Sequence, residues 1–476
     1  MPKQMCRSKC VEAIGQTGVV PPRMYTRIAV LLLVCLFAVN IYRAATQALT
    51  VDEAFTYHLY LSKDLHTILN DYNANDHVLF TLLAKWSVNH FGNSEFAIRL
   101  PSLLGGLLYL VVVYRLSKML FGSGWLFLLA VAILTMNPFI LDFLSIGRGY
   151  GMALAFWMYA LYCCFRFRQE DDPKYLVRAG VATGLAIAAN LTLLFPSLAL
   201  LAVMGLRYIR QPWRIIDRLL IPAVVTAFIF LVIPLTHVTT NAFYVGVTTL
   251  REALEIIVSA CFTAKSTMIQ PVQDWILYMA VPLVAVVLVF CLLAIKWRDE
   301  QAMGIAAILA FALVQIVAAH RFAGLLYPYR RTGLYLVPIF TLLWLLAVRD
   351  IDRWPRVQIL AAVPLFLCVA LFAMQASVTT YDEWAFCGSS KKVAALLNQD
   401  GARRVGASWF LEQSLNYYRD RLPISSMQPV TRAPLDLDYD HFVLLPNDYE
   451  VVQKRGLKVV FKDEESGVLL AVPQTH

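Results

Sequence analysis

At 476 residues, 59% hydrophobic and only 15% charged, with a mean hydropathy of +0.61, the chain is too apolar for an ordinary soluble protein. Its formal net charge of +9 requires no nucleic-acid partner, because the basic residues fall in clusters between apolar stretches, as in a membrane protein obeying the positive-inside rule.

A bilayer core about 30 Å thick needs about 20 largely apolar residues per helix. Taken in chain order, such stretches begin near residues 27, 101, 123, 150, 175, 193, 219, 275, 302, 333 and 357, which predicts an all-α polytopic membrane protein with eleven spans. Residues 1–26 are a cytoplasmic N-terminal tail, and the first apolar run is a retained anchor, since no convincing small-residue cleavage site follows it. The stretch HVLFTLLAKWSVNHF (77–91) is too short to span and carries Lys85 and His90, so it reads as an interfacial or re-entrant helix inside an outer loop covering 50–99. Basic clusters then mark the cytoplasmic side: Arg166, Arg168, Lys174 and Arg178; Arg207, Arg210, Arg214 and Arg218; Arg349, Arg353 and Arg356. The 50–99 loop, the turn at Arg148, the 237–274 loop, the 320–332 loop and everything after the last span therefore share the opposite, outer side. Cys261 and Cys387 both face that side, which leaves room for one disulfide.

After the membrane domain at 27–376, the composition becomes that of a soluble domain. KKVAALLNQDGARRVGASW reads as helix, turn and strand; HFVLLPN reads as a strand; LKVVFKD and GVLLAVP, separated by EES, read as a hairpin. Residues 377–476 are thus a small extracytoplasmic α/β domain, and nothing in it looks catalytic.

Polar residues at a membrane face are costly and mark function. On the outer side these are Asp52 and Glu53 in TVDEAFTYHLYL, Asp76 and His77 in NANDHVLF, Asp142, Arg148 and Tyr150 around SIGRGYGMALAF, Lys265 in FTAKSTM, and Arg330 and Arg331 in YRRTGLYLVPIF. Together with AIRLPSLLGGLLYLVVVYRLSKMLFG, these motifs resemble, in order and spacing, the GT-C superfamily of membrane glycosyltransferases, the group containing the protein O-mannosyltransferases and the lipid A aminoarabinose transferases. The resemblance covers roughly residues 25–380.

It implies an enzyme that transfers a hexose or pentose from a polyprenyl-phosphate carrier to a lipid, glycan or protein acceptor at the outer face of a membrane, by analogy the bacterial inner membrane. Asp52 would be the general base, with Glu53 assisting it or holding the loop. Many members have His-Pro where this chain has His77 and Val78. The chemistry suits the residues: a phosphate leaves the anomeric carbon without an acid to protonate it, so one carboxylate is sufficient, whereas glycoside hydrolysis needs two. Arg148, Arg330 and Arg331 would grip the departing phosphate, while Asp76, His77, Asp142, Tyr150 and Lys265 would contact substrate.

Each residue also has a plainer reading. Asp52 can cap the helix that follows it, Arg330 and Arg331 can anchor lipid headgroups, and Lys265 can be a solvated loop lysine. Asp76 and His77 lack a clear third ligand for a divalent cation. The rival functions are a transporter or flippase of lipid-linked sugars, which should show repeated halves, and a glycan polymerase or ligase, which should carry a larger late outer loop.

Overall fold

The computed structural model of the chain describes residues 21–71, 73, 76–237, 245–262, 270–296, 299–422 and 426–474. Helices occupy Pro22–Thr46, Glu95–Phe121, Trp125–Met136, Gly149–Glu170, Lys174–Ala189, Leu194–Arg207, Ile221–Thr236, Ala280–Ala294, Glu300–Ala323, Leu336–Asp350 and Pro355–Gln375, one for each predicted apolar stretch. Among the described residues, five helical segments are long and apolar enough to cross a membrane: Pro22–Thr46, Glu95–Phe121, Pro212–Thr236, Glu300–Ala323 and Pro355–Gln375. Some of the others are cut short locally. Trp125–Met136 stops at Asn137, whose side chain accepts from the Phe139 amide (3.0 Å) and caps a new short helix opened by Pro138.

Burial identifies the solvent of this fold. Leu31 and Val34 on the first helix and Leu360 and Leu367 on the last are more than half exposed, and both helices are apolar nearly throughout. Such faces are stable against lipid and unstable against water, and the chain is an integral membrane protein. The interior is built by Glu95–Phe121, Gly149–Glu170 and Lys174–Ala189. Backbones approach closely there: a Cβ on Gly184 would lie 2.5 Å from the Ala223 carbonyl oxygen. Close small-residue contact of this kind replaces the hydrophobic drive that helices lack in lipid.

The two ends of the bundle are distinct. At one, Arg349 pairs with Asp299 (2.5 Å), Lys296 with Asp352 (2.8 Å) and Arg214 with Asp171 (2.9 Å), all within segments predicted to be cytoplasmic. At the other, the segments predicted to lie outside meet: Val247 bridges Tyr327, and the Val51–Thr56 and Val78–Phe91 helices gather beside the 147–150 turn and the 330–333 turn.

Beyond Gln375 comes the Ser390–Gln399 helix and a four-stranded sheet of β1 (Val405–Ala407), β2 (His441–Leu444), β3 (Leu457–Lys462) and β4 (Leu469–Pro473), in the order β1-β2-β4-β3. β1 is parallel to β2, and β3 and β4 form the antiparallel hairpin read from LKVVFKD and GVLLAVP. This unit clamps the outer loop. The Tyr418 hydroxyl accepts from the Leu49 amide (2.9 Å), Tyr417 donates to Asn93 (3.0 Å), and Lys391 and Arg421 both pair with Glu95. The disulfide left open above does not form: Cys261 and Cys387 are both free, buried thiols.

Candidate active site

The two carboxylates at the exit of the first helix point to different neighbours, because adjacent residues on a helix are about 100° apart. Thr50 is the N-cap of Val51–Thr56. Its hydroxyl accepts from the Glu53 amide (3.2 Å), while Glu53 Oε2 accepts from the Thr50 amide (2.9 Å), a complete capping box. Capping, expected of Asp52, therefore belongs to Thr50 and Glu53.

Glu53 is fully buried and lies 2.7 Å from Arg99 through each of its oxygens; Oε1 also accepts from the Gly147 amide at 2.6 Å. Burial pushes its carboxyl up, but the Arg99 charge and these hydrogen bonds outweigh that and hold it below the ordinary carboxylate range. Arg99 also donates to the carbonyls of Gln47 and Ala48 (2.8 Å each), and its guanidinium lies 5.2 Å from the centre of the Tyr381 ring. The pair fastens the first helix, the second and the 147 turn together. Both oxygens of Glu53 are thus committed to Arg99 and to the Thr50 and Gly147 amides, the geometry of a residue that holds the loop.

Asp52 points elsewhere, its side chain 15% exposed and 3.0 Å from the Arg331 guanidinium. Arg331 also pairs with Glu383, rests 5.3 Å from the Trp384 ring and lies against the Tyr150 hydroxyl. Arg330 pairs with Asp382 (2.9 Å) and, at 3.7 Å, with Glu383; its backbone takes a left-handed φ of 43°, uncommon outside glycine, so the turn is held by these contacts. Arg148, 1% exposed, donates to the Thr56 hydroxyl (2.9 Å) beneath Asp52.

His77 is buried with its Nδ1 at 3.1 Å from the Asn190 amide nitrogen, and its ring meets Tyr150 edge-on at 4.8 Å. Gly149 makes room for it: a Cβ there would be 2.1 Å from the Ala189 carbonyl oxygen and 2.8 Å from His77 Cβ. Desolvation, then the charges of Arg148 and Arg331, hold His77 well below its ordinary range, so it is neutral, and its Nε2 makes no hydrogen bond among the described residues.

Asp76, 4% exposed, likewise has neither oxygen in hydrogen-bonding geometry among those residues, although the Thr81 hydroxyl is near enough to favour its ionised form. Desolvation dominates and raises it to about 7. Because that value lies above the unfolded carboxyl's, the folded state binds the extra proton, and stability is lost as pH rises from about 4 to about 7. Asp76→Asn should therefore raise the thermal midpoint at pH 8, by an amount worth roughly 1 to 4 kcal/mol, and leave it nearly unchanged at pH 4; differential scanning in detergent reads this directly.

Asp142 does not join the cluster. One oxygen pairs with buried Arg43 and the other accepts from the Asp382 amide (2.9 Å), so it ties the bundle to the segment after the last helix. Lys265 lies outside the described residues. Among those described, no group of three His, Cys, Asp or Glu side chains is arranged to hold a metal ion. The residues sequence reasoning missed are Arg99 and the acids of YDEWAF, Asp382 and Glu383; two acids on the same side as YRR were the available signal.

Residues 76–238 match the family model of the dolichyl-phosphate-mannose-protein mannosyltransferases. Among solved structures, ArnT from Cupriavidus metallidurans in the apo state aligns with a TM-score of 0.51 at 14% identity, covering 93% of this chain and 97% of that one. The same protein bound to undecaprenyl phosphate gives 0.49 at 14% identity with the same coverage. Arabinosyltransferase EmbB from Mycobacterium smegmatis gives 0.42 at 13% identity over 70% of this chain and 31% of that one. No curated protein matches by sequence. The near full-length agreement with apo ArnT shows that the chain shares the overall fold of that protein.

Proposed function

We propose that this protein transfers a sugar from a polyprenyl-phosphate-linked donor to an acceptor hydroxyl, with inversion, at the outer face of the bacterial inner membrane. The observation that carries the reading is Asp52, a partly exposed carboxylate set against the equally partly exposed Arg331 at the end of the bundle where Arg148, His77 and Tyr150 converge. The match of residues 76–238 to a mannosyltransferase family that uses a dolichyl-phosphate sugar supports the donor class.

In the reaction, Asp52 accepts the proton of the acceptor hydroxyl as its oxygen attacks the anomeric carbon. The bond from that carbon to the phosphate oxygen breaks in the same displacement, and polyprenyl phosphate departs with the electron pair. A single displacement inverts the anomeric centre. Arg331, Arg330 and Arg148 supply fixed positive charge where negative charge grows on the phosphate, in a site with little water to screen it. His77, neutral and with Nε2 uncommitted, donates or accepts a hydrogen bond to the sugar or phosphate, and Asp76 binds a sugar or acceptor hydroxyl. Tyr150 lines the same space. Residues 377–476 form the extracytoplasmic cap that keeps the 50–99 loop in place.

Detergent micelles separate this reading from a transporter, since micelles have no two compartments. Purified protein supplied with a panel of short-chain polyprenyl-phosphate sugars and candidate acceptors should release glycosylated acceptor of inverted configuration. Binding of the carrier without transfer to any acceptor would instead support a transporter, and extension of an existing lipid-linked chain would support a polymerase.

A further inference from the structure

Two of the three arginines assigned to the donor phosphate, Arg330 and Arg331, are already paired with carboxylates. Around them the described residues place three carboxylates: Asp52 on Arg331, Asp382 on Arg330, and Glu383 on both. Within this group two cations face three anions, with Arg148 a third cation on Thr56 beneath Asp52, and the group is mostly buried, every side chain of the five being less than a quarter exposed. A phosphate brought into contact with these guanidiniums adds a further negative charge where water screens little, so one carboxylate must leave or be neutralised.

The geometry identifies which. Asp52 stands on the ordered Val51–Thr56 helix. Asp382 has its amide fixed on Asp142 and its carboxylate on Arg330. Glu383 bridges the two arginines, has one oxygen, Oε2, outside hydrogen-bonding geometry among the described residues, and lies in the short, kinked segment Asp382–Cys387 between the last membrane helix and the cap. A carboxylate and a phosphate present the same paired oxygens to a guanidinium fork.

We propose that Glu383 occupies the anion position of the Arg330–Arg331 pair in the donor-free enzyme and yields it to the donor phosphate, so that donor binding is coupled to the first residues of the C-terminal cap. This rests on the donor class proposed above. The charged groups facing Glu383 are Arg330 and Arg331 from the turn before Leu336, Asp52 from the outer-loop helix, and Asp382 beside it. Burial, supported by Asp52 and opposed by the arginines, raises its proton affinity, so neutralisation in place is an accessible way to yield.

Equilibrium binding of a short-chain polyprenyl phosphate to wild type and Glu383→Gln tests this. At pH 8 the variant should bind about tenfold more tightly, the factor expected for roughly 1.4 kcal/mol of removed competition. The ratio of the two affinities should fall toward one on acidification, as wild-type Glu383 takes up a proton. The lipid phosphate's own titration cancels in that ratio. In turnover the donor KM should fall with kcat changing less. Glu383→Asp, which keeps the charge but is too short to bridge both guanidiniums, should tighten binding by a smaller factor. Inorganic phosphate should compete, and more effectively in Glu383→Gln than in wild type. Equal or weaker binding in both variants across the pH range, or a ratio independent of pH, would overturn the proposal while leaving the proposed function standing. Failure of wild type and variants alike to bind any polyprenyl phosphate would overturn both.

Discussion

Asp52→Asn is expected to lower kcat for sugar transfer by about 10² to 10⁴-fold while leaving the protein folded. The substitution preserves size and a hydrogen-bonding oxygen for Arg331, and it removes the negative charge and the basicity. Arg331 keeps Glu383 as a partner when Asp52 loses its charge, so the substitution removes one ion pair and the charge–dipole term of the first turn without stranding that cation. The loss should lie in kcat rather than in donor KM, since Arg331 keeps its charge and has one fewer acid beside it. An equal fall in kcat and rise in KM would indicate that Asp52 orders the donor instead of accepting the acceptor proton. Unchanged rates would leave it as a pairing residue for Arg331.

The largest stability effect is expected at the neighbouring carboxylate. Arg99→Leu strands Glu53, a fully buried charge, and should cost about 3 to 5 kcal/mol and lower the thermal midpoint accordingly. The Thr50 and Gly147 amides still donate to Glu53, which places the loss toward the lower end of that range. Glu53→Gln leaves Arg99 charged and loses the matched fork, so it too should be severe. The double variant Glu53→Gln with Arg99→Leu removes both charges and should be more stable than the sum of the single losses predicts. Additive losses would contradict the reading of this pair as one unit. Activity should fall in both single variants through displacement of the Val51–Thr56 helix that carries Asp52.

These two residues show what the sequence can and cannot carry. The apolar stretches were legible because bilayer thickness fixes their length, and the hairpin of the cap because alternation and EES fix its turn. The grouping of outer segments was legible from the positions of Arg and Lys alone. Thr50-x-x-Glu53 is a capping box that can be read directly, and it already separates the roles of Asp52 and Glu53. Arg99 was hidden because AIRLP reads as a charge at the start of a span, and nothing local says that its partner lies forty-six residues earlier. Glu383 was hidden for a related reason: it follows the last span, in a stretch whose composition belongs to a soluble domain, and meets Arg331 only once the fold closes across fifty-two residues. The pairing of Asp142 was hidden as well, because it stands on the short Pro138–Phe143 helix and its partner, Arg43, comes from a different helix.

The central claim is that Asp52 and the arginines beside it carry out transfer from a lipid-linked phosphate. The most direct test is a time course of purified protein in micelles with a polyprenyl-phosphate sugar that supports turnover, following free polyprenyl phosphate and glycosylated acceptor together. The account predicts that they appear in equal amounts from wild type and at least 10²-fold more slowly from Asp52→Asn; release of polyprenyl phosphate at the same rate from both proteins would contradict it.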